Sequence, residues 1–180
     1  MNNLSKIKKF SRKFHLLLSL LIVVAPLYYI LYWTLINYLP TQLVTVNTPA
    51  TPLIPYKLSL QWQLVGFLVS LLPLTAFIYG TLNLRKLFSF YKEGDIFSYA
   101  HVTIFKSISK ALLWWVFFSM LYESAKSILF SLGAAPGNRV VEVGFTSSEL
   151  TALMVGIVVL VIAWVMDEGR IMAEENELTV

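Results

Sequence analysis

The chain has no cysteine. Disulfides, thiol catalysis, cysteine-ligated zinc and lipidation at cysteine are therefore excluded. Charge is also scarce. Charged residues are 13% of the 180, against about 25% in a usual soluble domain. There are two histidines, His15 and His101, far apart and without metal-ligand spacing, so no metal site is expected. The sequence lacks a Walker loop, G-x-G-x-x-G, H-E-x-x-H and G-x-S-x-G. Without a catalytic constellation, neither enzymatic activity nor a cofactor is expected. No internal repeat or low-complexity tract occurs, and no polar stretch is long enough for a separate soluble domain.

What the chain does have is apolar length. Hydrophobic residues make up 57% of it. Leu16–Ile36, Leu64–Leu82, Ala111–Leu132 and Leu150–Met166 each approach the ~20 residues that cross ~30 Å of hydrocarbon. The expected fold is an all-α membrane protein, a single domain over residues 1–180. Its four transmembrane helices cover about 14–36, 62–83, 109–132 and 149–166. The basic N-terminus followed by an apolar run imitates a signal peptide. The run outlasts the ~7–15 residues of a cleavable core and no small-x-small site follows, so a retained first span is expected.

Orientation follows from basic residues flanking the spans. Lys6, Lys8, Lys9, Arg12 and Lys13 precede the first span. Arg85, Lys86, Lys92, Lys106 and Lys110 lie between the second and third. The loops 37–61 and 133–148 contain only Lys57 and Arg139. Both termini and the 84–108 connection are thus expected in the cytoplasm, with the protein multi-pass in the cytoplasmic (inner) membrane. Indole rings favour membrane interfaces. Trp33 and Trp62 are accordingly assigned to the outer interface, and Trp114, Trp115 and Trp164 to the inner one. The competing reading for any one of them is that it fills a gap between helices.

Local signals refine the connections. Leu84, Leu87, Phe88 and Tyr91 recur at helical spacing, so the second helix should continue beyond the membrane. Gly94 should stop it and Ser98 should cap the next helix. The result is a helical hairpin over 84–108. In the outer loops, Leu43–Val46 and the alternating Arg139–Thr146 segment suggest short strands, pairing as a small extracytoplasmic β-hairpin cap. Thr146 and Glu149 fit a capping box for the fourth helix. Gly66/Ser70 and Ala152/Gly156 have the spacing of close helix contacts, within one chain or at a homo-oligomer seam.

Two groups of residues are candidate sites. Glu123 and Lys126 are charges deep inside a span, three apart on one helix face and accompanied by Ser119 and Ser127. A proton, ion or ligand site and a self-satisfied structural pair are both open readings. The second group is Glu93, Gly94, Asp95, Phe97 and Ser98 at the hairpin tip, with Arg170, Glu174, Glu175 and Glu177 in the tail, as a partner-binding surface. The basic N-terminus suits anionic lipid better than nucleic acid, because no nucleic-acid-binding fold or aromatic interleaving accompanies it.

The segments LRKLFSFYKEGDIFS (84–98), VEVGFTSSEL (141–150) and AWVMDEGRIMAEENELTV (163–180) resemble the YoaS-like family of bacterial four-span membrane proteins of unknown function. That resemblance implies no enzymatic activity. Members are often encoded beside a small helix-turn-helix regulator, which implies a membrane protein that senses a signal or holds such a regulator. The Glu123/Lys126 pair is not part of the family pattern. The alternative reading is a small oligomeric transporter or channel built on that pair.

Overall fold

A computed structural model describes residues 3–39, 57–95, 98–132, 141, 143 and 147–177. Among them are four helices and no strand. These are α1 (Asn3–Leu35), α2 (Leu60–Glu93), α3 (Tyr99–Ser131) and α4 (Ser147–Glu177). All four are long and apolar enough to cross a membrane. The proposed strand segment Leu43–Val46 and most of Arg139–Thr146, including the capping Thr146, lie outside the described residues. Val141 and Val143 are described, exposed and not in a strand.

The helices are longer than their apolar runs. At 1.5 Å per residue, 33 residues of α1 or α3 reach about 50 Å, some 20 Å more than the hydrocarbon core. The excess lies before Leu16 in α1, after Leu82 in α2, before Ala111 in α3 and after Met166 in α4. Pro26 and Pro73 sit inside α1 and α2. Each removes a backbone donor, a loss that packed helices tolerate in lipid. Along the apolar runs, large side chains point outward, with Leu16 at 71% and Val165 at 66% exposure. In lipid that surface has no reason to be buried.

The chain divides into two compact units. One comprises Met1–Val23, Phe77–Leu113 and Ala152–Val180, the other Val24–Ala76 and Trp114–Thr151. The second unit has an aromatic core of Trp33, Tyr122 and Phe130 with Ile36, Leu58 and Leu129. Trp33 is 1% exposed. Its interfacial assignment is therefore replaced by the gap-filling one. Gly66 makes this possible, because a Cβ there would collide with the Trp33 ring at Cη2 and Cζ3. Asn37 closes the same unit. Its side-chain amide donates to the Leu58 carbonyl at 2.9 Å and accepts from the Leu58 N–H at 2.8 Å, as a paired backbone would.

In the first unit, Leu87, Val102, Ile104, Ala111 and Ala163 are buried. Gly156 packs with its Cβ direction 3.3 Å from the Leu112 Cβ. The Ser109 hydroxyl donates to the Gly156 carbonyl at 2.8 Å. A small residue allows the backbones to approach, and the hydroxyl then finds an acceptor on the next helix. Gly66 and Gly156 thus both serve packing within the chain.

Candidate functional site

The intramembrane pair forms on α3 alone. Lys126 Nζ donates to both Glu123 carboxylate oxygens, at 2.8 and 3.0 Å. It also lies 5.1 Å above the Tyr122 ring, within cation–π range. Lys126 is 8% exposed. Tyr122 is in turn held edge-on by Tyr29 and Trp33. Ser119 and Ser127 are buried on the same helix face. Ser127 donates to the Ser124 carbonyl and Ser124 to the Met120 carbonyl, both at 2.8 Å. The ammonium, the carboxylate and the Ser124 and Ser127 hydroxyls thereby all have partners on the same helix. This is the geometry of a self-satisfied pair. An apolar cleft of 320 Å³ in the same unit is lined by Ile30, Trp33, Thr34, Leu60, Gln63, Leu64 and Phe67 and offers no ionisable group.

The hairpin tip is built by two reciprocal caps. Gly94 has φ +96°, a conformation that side chains disfavour. Its N–H reaches the Tyr91 carbonyl at 3.2 Å and the Asp95 N–H reaches the Phe90 carbonyl at 3.1 Å. These two bonds are a Schellman motif, which satisfies the last carbonyls of α2. At the start of α3, the Ser98 N–H donates to His101 Nδ1 at 3.1 Å, and the His101 N–H donates to the Ser98 carbonyl at 2.9 Å. His101 takes the place a glutamate holds in a capping box. It is fully buried, stacked on Tyr91 and tilted against Phe90.

Of the proposed partner-binding residues, Glu93 is exposed, while Gly94, Asp95 and Ser98 form the turn itself. Phe97 lies outside the described residues. So do the side chains of Glu174, Glu175 and Glu177, although their backbone is helical. Arg170 is engaged within the chain. It lies 3.6 Å from Asp167 and stacks over Tyr99 at 4.9 Å. Asp167 also accepts from Lys106 at 2.7 Å. The Lys106 hydrogen bond, aided by the charges of Lys106 and Arg170, holds the Asp167 carboxyl below the usual carboxylate range. The α4 extension is thereby fastened to the start of α3. Sequence reading missed this cluster, because Lys106 and Asp167 are 61 residues apart. It also missed the role of His101, although the Ser98-x-x-His101 spacing was there to be read. No group of three or more His, Cys, Asp or Glu that could hold a metal occurs among the described residues.

Helices of this length and apolarity, with aqueous extensions, define a multi-pass membrane protein. The chain belongs to DUF2975, a family described as proteins of unknown function, which it matches over residues 7–180. No curated protein and no solved structure matches it.

Proposed function

We propose that the protein is a membrane-embedded regulatory or scaffold protein rather than an enzyme. The observation that carries this reading is the set of helical extensions outside the apolar runs, which all belong to one compact unit. Four helices continue for about three turns past hydrocarbon depth, with caps that stiffen the tip between α2 and α3. Such a platform presents a defined surface to a soluble partner. By the positive-inside rule it faces the cytoplasm, in a bacterial inner membrane. The YoaS-like resemblance supplies the partner, a helix-turn-helix regulator. Exposed Glu168 and the acidic residues Glu174, Glu175 and Glu177 would attract a basic DNA-binding protein.

The test is affinity capture from membranes of the full chain and of a chain ending at Glu168. The regulator should be recovered with the first and lost with the second. Equal recovery removes the tail from the mechanism, and recovery with neither removes the partner. A reporter fused at the hairpin tip should be active only inside the cell.

The second reading is a small transporter or channel using Glu123 and Lys126, favoured by their burial at intramembrane depth. It requires a homo-oligomer, because four helices leave little room for a pore within one chain. Proteoliposome flux abolished by Glu123→Ala would support it, and flux unchanged by that substitution would exclude it.

A further inference from the structure

We propose that Lys8, His15, Arg85 and Lys92 form a site for the phosphate and headgroup of an anionic phospholipid, at the seam between α1 and α2. Lys8 and His15 are seven apart on α1, and Arg85 and Lys92 are seven apart on α2. Seven residues are nearly two helical turns, so each pair shares one face. Aromatic contacts bring the two helices together. Phe14 of α1 stacks on Phe88 of α2 at 5.2 Å, with Phe10 at 6.4 Å. Lys8 lies across the end of α2. A Cβ on Gly94 would meet its Cε at 2.6 Å and its Nζ at 2.8 Å. Arg85 and Lys92 are both near enough for their charges to act on the His15 ring.

Burial separates these groups from the other cations nearby. Lys8, His15, Arg85 and Lys92 are half-buried, whereas Lys6, Lys9, Arg12, Lys13, Lys86 and Lys110 are exposed. Half-buried like charges repel with less solvent screening than exposed ones. A counter-anion would relieve that repulsion, yet among the described residues no carboxylate pairs with these cations. Among the described residues the ion pairs engage Lys106, Lys126 and Arg170. Glu93 and Asp95, the acids nearest in sequence, form no ion pair with the cluster.

Depth selects the anion. His15 immediately precedes the apolar run of α1, and Arg85 lies three residues beyond that of α2. This is the level of lipid phosphates. Lys8 and Lys92 lie about 10 Å further out along their helices, where a headgroup would continue. A guanidinium at the lower level suits two oxygens of one phosphate. The site depends on the helices crossing a bilayer and not on the protein partner proposed above.

The full chain would be placed in nanodiscs of phosphatidylcholine with and without phosphatidylglycerol, and retained lipid read by native mass spectrometry. The wild type should keep phosphatidylglycerol at least about tenfold over phosphatidylcholine. Arg85→Gln/Lys92→Gln should lose that preference. Lys9→Gln/Lys13→Gln, which removes equal charge from exposed positions, should keep it. Arg85→Lys/Lys92→Arg should also keep it, and Lys8→Gln alone should weaken it severalfold, so that a folding defect in the glutamine pair does not decide the result. Undiminished preference in both the Arg85→Gln/Lys92→Gln and Lys8→Gln chains overturns the proposal. So does equal loss from the exposed pair, which would mean diffuse attraction. Displacement of the lipid by millimolar inorganic phosphate would assign the site to a soluble anion instead and overturn the lipid assignment.

Discussion

Lys126→Met is the substitution that best separates a structural ion pair from a functional one. It keeps the length of the side chain and removes its charge. Lys126 Nζ contacts both oxygens of Glu123, with side-chain exposures of 10% and 18%. Two unit charges about 3 Å apart attract by roughly 5 kcal/mol at an effective dielectric constant of 20, but desolvating both offsets much of this. What survives is asymmetric. Removing one partner of a buried pair costs about 3–5 kcal/mol, because the other charge is left without compensation. Replacing both with apolar groups of similar size is often neutral or stabilising. Lys126→Met should therefore destabilise by about 3–5 kcal/mol, Glu123→Leu by a comparable amount, and the double variant by less than about 1 kcal/mol. Unfolding by SDS titration in mixed micelles, followed by circular dichroism, measures all four corners of the cycle. Additive penalties would refute the closed-pair reading. So would a Lys126→Met chain as stable as the wild type.

Three further outcomes follow from particular contacts. Gly66→Ala should cost about 1–3 kcal/mol through overpacking against Trp33, and Trp33→Phe should recover part of that loss in the same unfolding assay. Asp167 is held ionised below its ordinary value of 3.8 by Lys106 and Arg170. The stability it contributes is complete above that value and lost as pH falls through its lower folded value. Asp167→Asn should flatten this acid-side decline in thermal unfolding, and an unchanged slope would place the decline elsewhere. His101→Ala should remove the return bond to the Ser98 N–H and destabilise the start of α3 by about 1–2 kcal/mol. Hydrogen exchange at residues 99–103 should accelerate, and unchanged protection there would show that the cap does not depend on the imidazole.

The four apolar helices and the turn between α2 and α3 were legible in the sequence because their causes are local. Transfer of an apolar run into lipid depends on its own residues. A left-handed residue that ends a helix favours glycine, as Gly94 does. The pairing of Glu123 with Lys126 was legible for the same reason, since three residues on one helix set the distance. The contact of Lys126 with the Tyr122 ring, and of that ring with Tyr29 and Trp33, was not, because it depends on which helices surround α3.

Tertiary structure alone decided the rest. Trp33 reads as an interfacial residue until Gly66, on another helix, opens room for its ring. Lys106 and Asp167 have no signal linking them across 61 positions. Nor does any local pattern reveal that Phe14 of α1 stacks on Phe88 of α2, or that Arg85 is half-buried while Lys86 is exposed. The amino-acid order by itself determined which segments enter lipid, since that free energy accumulates residue by residue along one strand of chain. The partners across helices came only from the register and rotation with which the helices pack, because a contact between distant residues exists only once both helix faces are set.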